Sequence, residues 1–265
     1  MNRIATLLYG SVAYGMFLVV LLYAIGFVTG FGVPKTIDSG GGATESAPLA
    51  EALVVNGLLM SLFAVQHSVM ARQGFKKRWT RFVPRPIERS TFVLATNLVL
   101  ALLFWQWRPI PGILWEVDGA VGRTALHALA LSGWALVTIA TFVIDHFDLF
   151  GLKQVVLFAR QKPYPEPRFQ VKFLYRLVRH PLLLGFMIAF WSAPTMTYGR
   201  ALFAAVTTLY MLFAIQLEER DLVLVHGDAY AEYRKRVPMI LPRLGRAPLE
   251  AATPLSLPRP SSQEI

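Results

Sequence analysis

Two short polar runs in an otherwise apolar C-terminal half hold residue types that can do chemistry. Arg179-His180-Pro181 precedes one apolar stretch, and Glu218-Glu219-Arg220-Asp221 follows the next, with Gly227, Tyr230, Tyr233, Arg234 and Pro238 beyond. An imidazole titrates near neutral pH and is the natural acid or base of a protein site. Pro181 suits the first turn of a helix, where its missing N–H would have no partner, and the other first-turn N–H groups can then receive a ligand carboxylate. Gly185, one turn further in, leaves space where a bulky ligand can approach the backbone. Adjacent acids on a helix point about 100° apart, so one of Glu218 and Glu219 enters a cavity while the other faces water or pairs with Arg220. An inward carboxylate suits a cationic or hydroxyl-rich ligand, and Tyr230 and Tyr233 offer an aromatic face and a hydroxyl. Earlier in the chain, His67 follows Gln66 in another apolar stretch, and His146 follows Asp145. These are further candidates for proton transfer.

The elements that position these groups are membrane helices. The chain has 265 residues, of which 55% are apolar and 16% charged, and its mean hydropathy is +0.48. Water-soluble domains carry about 25% charged residues. This composition predicts an all-α polytopic membrane protein of about six transmembrane helices. Four stretches are long enough to cross a bilayer: 7–27, 54–70, 91–107 and 126–147. Residues 181–194 and 201–217 are shorter and joined by a turn, forming a C-terminal helical hairpin that spans or is partly re-entrant. Beyond it, residues 222–225 and the Tyr230, Tyr233, Val237 stretch make an amphipathic cytoplasmic lid. The return helix is expected to end at Glu218-Glu219, which brings them to the membrane face that holds Arg179 and His180.

Basic residues set the orientation. The loop after the second span holds Arg72, Lys76, Lys77, Arg78, Arg81, Arg85 and Arg89, whereas residues 30–50 carry Lys35 alone. Positive charge marks the cytoplasmic side, so both chain ends and the polar set face the cytoplasm. The net charge of +10 fits anionic lipid headgroups; nucleic acid is not expected, because no aromatic RNA-binding motif interleaves the basic residues. Arg179, Arg220 and Arg234–Arg236 also fit simple interfacial snorkelling, and His67 also fits a packing histidine. The absence of cysteine excludes disulfides and thiolate chemistry, and no zinc-spacing, P-loop or dinucleotide motif occurs. A single membrane-embedded domain over 1–246 is expected, with a flexible outer loop at 32–50 and a low-complexity tail at 247–265.

The series Arg179-His180-Pro181, Gly185, Glu218-Glu219, Gly227, Tyr230, Tyr233, Val237-Pro238 and Pro242 resembles the cofactor-binding region of the isoprenylcysteine carboxyl methyltransferase and phospholipid methyltransferase group. Gln66-His67-Ser68-Val69-Met70-Ala71-Arg72, the run from Trp79 to Ser90, Gln106-Trp107-Arg108-Pro109 and the run from Ala214 to Asp221 resemble its NnrU-like branch, which includes methanethiol S-methyltransferases. At Arg72-Gln73-Gly74 the chain departs from that pattern, where a proline is expected after the arginine.

The resemblance implies S-adenosylmethionine as cofactor, bound at the cytoplasmic face of a bacterial inner membrane by Arg179, His180, Pro181, Gly185, Glu218, Glu219, Tyr230, Tyr233 and Arg234. It implies methyl transfer to methanethiol or a similar small thiol, with membrane lipids as surroundings, no metal and no obligate protein partner. His67, His180 and Glu218 are the expected catalytic residues, His67 as the acceptor-side base. Trp105, Trp107, Phe190 and Trp191 shape an acceptor pocket or serve ordinary packing. Two rivals stand beside this reading. One is a lipid or isoprenylcysteine methyltransferase; the other is a non-catalytic haem subunit with axial ligands among His67, His127, His146 and His180.

Overall fold

The computed structural model describes residues 2–39, 47–165 and 169–242. The expected tail at 247–265 and the Gly-rich centre of the outer loop lie outside the described residues. Among those described, the chain runs α1 (Arg3–Thr29), α2 (Leu49–Ala71), α3 (Gln73–Trp79), α4 (Arg85–Gln106), β1 (Ile113–Glu116), α5 (Ala120–Ile144), α6 (His146–Leu149), α7 (Leu152–Ala159), a 3-10 turn (Phe173–Arg176), α8 (Pro181–Trp191), β2 (Thr195–Thr197), α9 (Tyr198–His226) and α10 (Asp228–Arg236).

Five helices, α1, α2, α4, α5 and α9, are long and apolar enough to cross a membrane. Their sequences explain their ends. The Asn2 side chain accepts from the Ile4 N–H at 2.9 Å to start α1, Pro86 sits in the first turn of α4, and Thr197 accepts from the Arg200 N–H to start α9. Each satisfies or removes a first-turn donor that has no intrahelical partner. Leu8, Val12, Val19 and Leu22 on α1 and Leu58, Leu62 and Val65 on α2 remain exposed. In lipid, such apolar faces need no cover.

The sixth crossing is built differently. Helix α8 has 11 residues and reaches about 16 Å, roughly half of a hydrocarbon core. An extended segment, Ser192 to Thr197, continues it. Backbone at membrane depth must find partners, and here it finds them on the loop after α4: the Val117 N–H donates to the Pro194 carbonyl at 2.9 Å, Trp115 Nε1–H to the Ala193 carbonyl at 3.2 Å, and β2 pairs antiparallel with β1. The expected hairpin is thus a short helix plus a paired extended arm returning through α9.

Gly185 fixes how α8 packs. A Cβ there would stand 2.7 Å from the Gly133 carbonyl oxygen and 2.9 Å from the Val137 nitrogen of α5, and one on Gly133 would stand 2.7 Å from the Gly185 oxygen and the Ala189 nitrogen. The two glycines let the backbones of α5 and α8 touch. Gly185 therefore does not open space for a cofactor, as the sequence suggested; helix α5 already fills that space.

The core lies toward one membrane face. Phe27, Phe104, Trp107, Trp134 and Phe203 cluster there, and Trp107 Nε1–H donates to the Ile37 carbonyl at 3.0 Å. Asp38 pairs with Arg200 and accepts from Thr197, so the start of the segment at 32–50 is tied down as far as Ser39. Trp107 is a packing residue, Trp105 is 70% exposed, and Trp191 donates to Thr208. At this face the described basic residues are Lys35, Arg108, Arg123 and Arg200; the other basic residues gather at the opposite face.

Candidate active site

At the basic face, α9 outruns the bilayer. Its 29 residues span about 43 Å against a hydrocarbon core of about 30 Å, so the helix continues past Glu218 and Glu219 to His226 rather than ending on them. Gly227 then breaks it, with φ +56° and ψ −134°, a backbone conformation glycine adopts without strain. The chain turns into α10, which folds back over the end of α8. Arg179 N–H donates to the Pro238 carbonyl at 2.9 Å and His180 N–H to the Met239 carbonyl at 3.1 Å, tying the segment after α10 to the segment before α8.

Inside this fold-back, the two acids separate. Glu219 is buried at 4% exposure. Its Oε1 accepts from Arg179 Nε at 2.6 Å and lies 3.0 Å from His180 Nε2, and its Oε2 is 4.0 Å from an Arg234 Nη. Arg179 also donates to the carbonyls of Arg234 and Val237, at 2.9 and 2.5 Å. Buried charges persist when paired and hydrogen-bonded, and this triad meets both conditions. Glu218 instead keeps 54% of its side chain exposed and stands 3.8 Å from His180 Nδ1. The Arg234 side chain is 50% exposed. One acid is thus committed to the scaffold, and the other presents a carboxylate to the opening.

Tyr230 and Tyr233 are buried under α10 with Val237, against Phe169 and Val171. The Tyr233 hydroxyl donates to the Tyr175 carbonyl at 2.7 Å. Burial raises both phenols above their ordinary range, with the Glu219 carboxylate adding to the effect on Tyr230. Burial, assisted by Glu218, does the same to Tyr175. These tyrosines lock the lid in place; their rings face one another and Phe169 at centroid distances of 5.5 to 5.6 Å.

A second polar group lies deeper, between α2, α4 and α9. The His67 ring stacks on Phe63 at 5.3 Å and tilts against Phe92 at 5.0 Å, with Nδ1 3.5 Å from Thr96 Oγ1. The Ser68 and Tyr210 hydroxyls are 3.1 Å apart, and Arg72 pairs with Asp221 at 3.0 Å. Helices α2 and α9 therefore meet through polar contacts, one turn from His67. Arg89 on α4 points to the same region, within electrostatic reach of Glu218.

The structure brings Arg179, His180, Glu219 and Arg234 together, with Glu218 beside them and Tyr230 and Tyr233 on the lid. Tyr175, Tyr210, the Arg72–Asp221 pair and Arg89 join this region without being expected from the sequence. Of these, Arg89 carries a readable signal, a cation one turn inside an apolar helix. His146 is held away from the lid, its Nδ1 bonded to the Thr141 hydroxyl at 2.8 Å and its Nε2 to the Tyr14 hydroxyl at 2.9 Å, with Phe142 stacked on its ring. His180 Nε2 is held by Glu219 at 3.0 Å, while its Nδ1 stands 3.8 Å from Glu218, beyond hydrogen-bond distance. The described residues hold no metal-binding cluster.

The fold thus sets a buried Arg–His–Glu triad under a helical lid in a helical membrane protein, with a second polar group beside it. Comparison with known proteins gives the class. The chain is 54% identical over 242 residues to methanethiol S-methyltransferase of Mycobacterium tuberculosis, covering 91% of this chain and 98% of the relative. It is 55% identical over 235 residues to methanethiol S-methyltransferase 1 of Bradyrhizobium diazoefficiens, covering 89% and 81%. Nurim of Homo sapiens is 34% identical over 187 residues, covering 66% and 68%. No family model and no solved structure matches. The chain belongs to the methanethiol S-methyltransferase family and is a methyltransferase.

Proposed function

We propose that this protein transfers the methyl group of S-adenosylmethionine to methanethiol, giving dimethyl sulfide and S-adenosylhomocysteine. The reading places the site in one domain, 1–246, at the cytoplasmic face of a bacterial inner membrane. The observation that carries it is the division of labour at the lid: Glu219 is buried and triply engaged, while Glu218 and Arg234 stay half exposed beside it. That donor set suits the cofactor. Glu218 offers an acceptor to ribose hydroxyls or a cationic amino group, and Arg234 offers a guanidinium to a carboxylate.

Arg179 commits its Nε to Glu219 and its Nη1 to two carbonyls, which leaves Nη2 as the part of its fork that can meet a ligand. It and Glu219 hold His180 and α10 in register, and Pro181 starts the helix behind them. Tyr230 and Tyr233 keep the lid closed and exclude water. When bound, S-adenosylmethionine supplies an electrophilic methyl carbon, so the chain needs neither a metal nor a covalent intermediate of its own. What remains to the protein is alignment and proton removal.

An alkanethiol titrates at about 10, by comparison with the roughly 8.5 of cysteine, and only its thiolate is a strong nucleophile. His67 has Nε2 unclaimed by any described hydrogen bond. It is the proposed base. Purified protein offered methanethiol, a prenylcysteine and phosphatidylethanolamine in competition should methylate methanethiol first. Methylation of the lipid or prenylcysteine alone would overturn the assignment.

A further inference from the structure

Among the described residues, no ion pair claims Arg89, a cation on helix α4. Arg89 lies one turn inside it and is partly buried. Its Nε donates to the Leu149 carbonyl at 2.8 Å, and its guanidinium carbon stands 5.2 Å from the centre of the Phe92 ring. Among the described residues, neither Nη has a hydrogen-bond acceptor or an ion-pair partner. The residue as a whole keeps part of its surface exposed.

The charged and titratable neighbours leave that fork free. Glu88, Asp148, Tyr164 and Glu218 act on Arg89 from beyond ion-pair distance, and Lys76 and His67 share its field. Asp148 is occupied by the Tyr164 hydroxyl at 2.8 Å and the Gln154 amide at 3.2 Å. On its other side, Phe92, His67, Phe63 and Tyr210 form a continuous aromatic wall, each ring within 6 Å of the next. A half-buried guanidinium beside this aromatic wall lacks one component, an anion.

Building on the methyl transfer proposed above, we propose that Arg89 holds the acceptor's sulfur as its thiolate against the wall of Phe63, His67 and Phe92. The donor's own carboxylate has Arg234 at the lid, whereas Arg89 serves the deeper space. The thiol proton passes to His67 and on to water. The sulfur's electron pair then forms the new bond to the methyl carbon as the sulfonium–methyl bond breaks, leaving its electrons on the departing thioether. Two cations thus flank one anion until the charge is consumed.

The test compares R89Q, R89K and H67N. In R89Q, kcat/KM for methanethiol should fall by about 100-fold or more, the scale of losing one preorganised charge-stabilising group, with donor affinity unchanged. R89K keeps the charge but not the bond to Leu149, and should recover part of the loss. Trifluoroethanethiol, a more acidic thiol than methanethiol, should rescue H67N, which lacks a base, and should not rescue R89Q, which lacks the countercharge. Calorimetry of methanethiol binding to the unreactive S-adenosylhomocysteine complex should show weakened binding in R89Q. R89K as impaired as R89Q would make the Leu149 bond the role of Arg89 and overturn the proposal. So would R89Q that loses donor binding while keeping its KM for the thiol. Wild-type protein that fails to methylate methanethiol would instead sink the proposed function itself.

Discussion

Replacing Glu219 with glutamine removes one charge from the centre of the lid and little else. The side chains of Glu219 and Arg179 are 6% and 10% exposed and 2.6 Å apart. Breaking such a pair costs about 3–5 kcal/mol, because the remaining charge is left buried and uncompensated. Arg179 keeps its two carbonyl acceptors, which points to the lower end, about 3 kcal/mol. Since 1.4 kcal/mol is a factor of ten, hydrogen-exchange protection of α10 and of the Arg179 and His180 amides should fall by about two orders of magnitude. E218Q is the control: its carboxylate is 54% exposed and 3.8 Å from His180, and an exposed pair contributes below about 1 kcal/mol. That variant should keep its lid protection and lose donor affinity. Equal protection in E219Q and wild type, or loss of the lid in E218Q, would refute the division between the two acids.

Four further outcomes follow from the same geometry. G185A and G133A should each destabilise the protein by about 1–3 kcal/mol through overpacking, since each new Cβ meets backbone of the facing helix; G57A, with nothing within 4 Å, should be tolerated. Thermal unfolding in detergent would show whether the two cases differ. Y233F should cost about 1 kcal/mol by losing the bond to the Tyr175 carbonyl, read as faster proteolysis at the lid. Burial holds Tyr175, Tyr230 and Tyr233 protonated in the packed state, while undocked phenols ionise near 10. Docking of α10 should therefore be at full strength below about pH 10 and weaken as pH rises through that value toward the higher folded ones. Phenolate absorbance that appears at the free-tyrosine pH with the lid still docked would contradict this. H67A should lose most turnover at neutral pH and change the pH profile; near-full activity with an unchanged profile would remove the base assignment.

Local rules made much of the architecture legible. Long charge-free runs marked four of the five long helices, the shorter run at 201–217 fell within the fifth, and Pro181 marked the start of α8 because a first-turn proline forfeits no hydrogen bond. What escaped depended on partners distant in sequence. Glu218 and Glu219 are chemically identical, and only the fold-back of α10 onto Arg179 decides which is buried. Gly185 read as an opening because Gly133, its counterpart on α5, comes from a separate helix. The charges from Glu218 to Asp221 suggested a helix end at the bilayer surface, but α10 and Arg72 give them protein partners, so α9 continues. His146 looked reactive, but Tyr14 arrives from α1 to bond one nitrogen while the nearby Thr141 bonds the other.

Label transfer tests the central claim most directly. Protein purified in detergent, given trideuteromethyl-labelled S-adenosylmethionine and methanethiol in a sealed vial, should release dimethyl sulfide carrying the intact trideuteromethyl group, detected by mass spectrometry of the headspace. The amount should match the S-adenosylhomocysteine formed. Consumption of the labelled donor without labelled dimethyl sulfide, or no consumption by protein that binds the donor, would contradict methyl transfer to methanethiol.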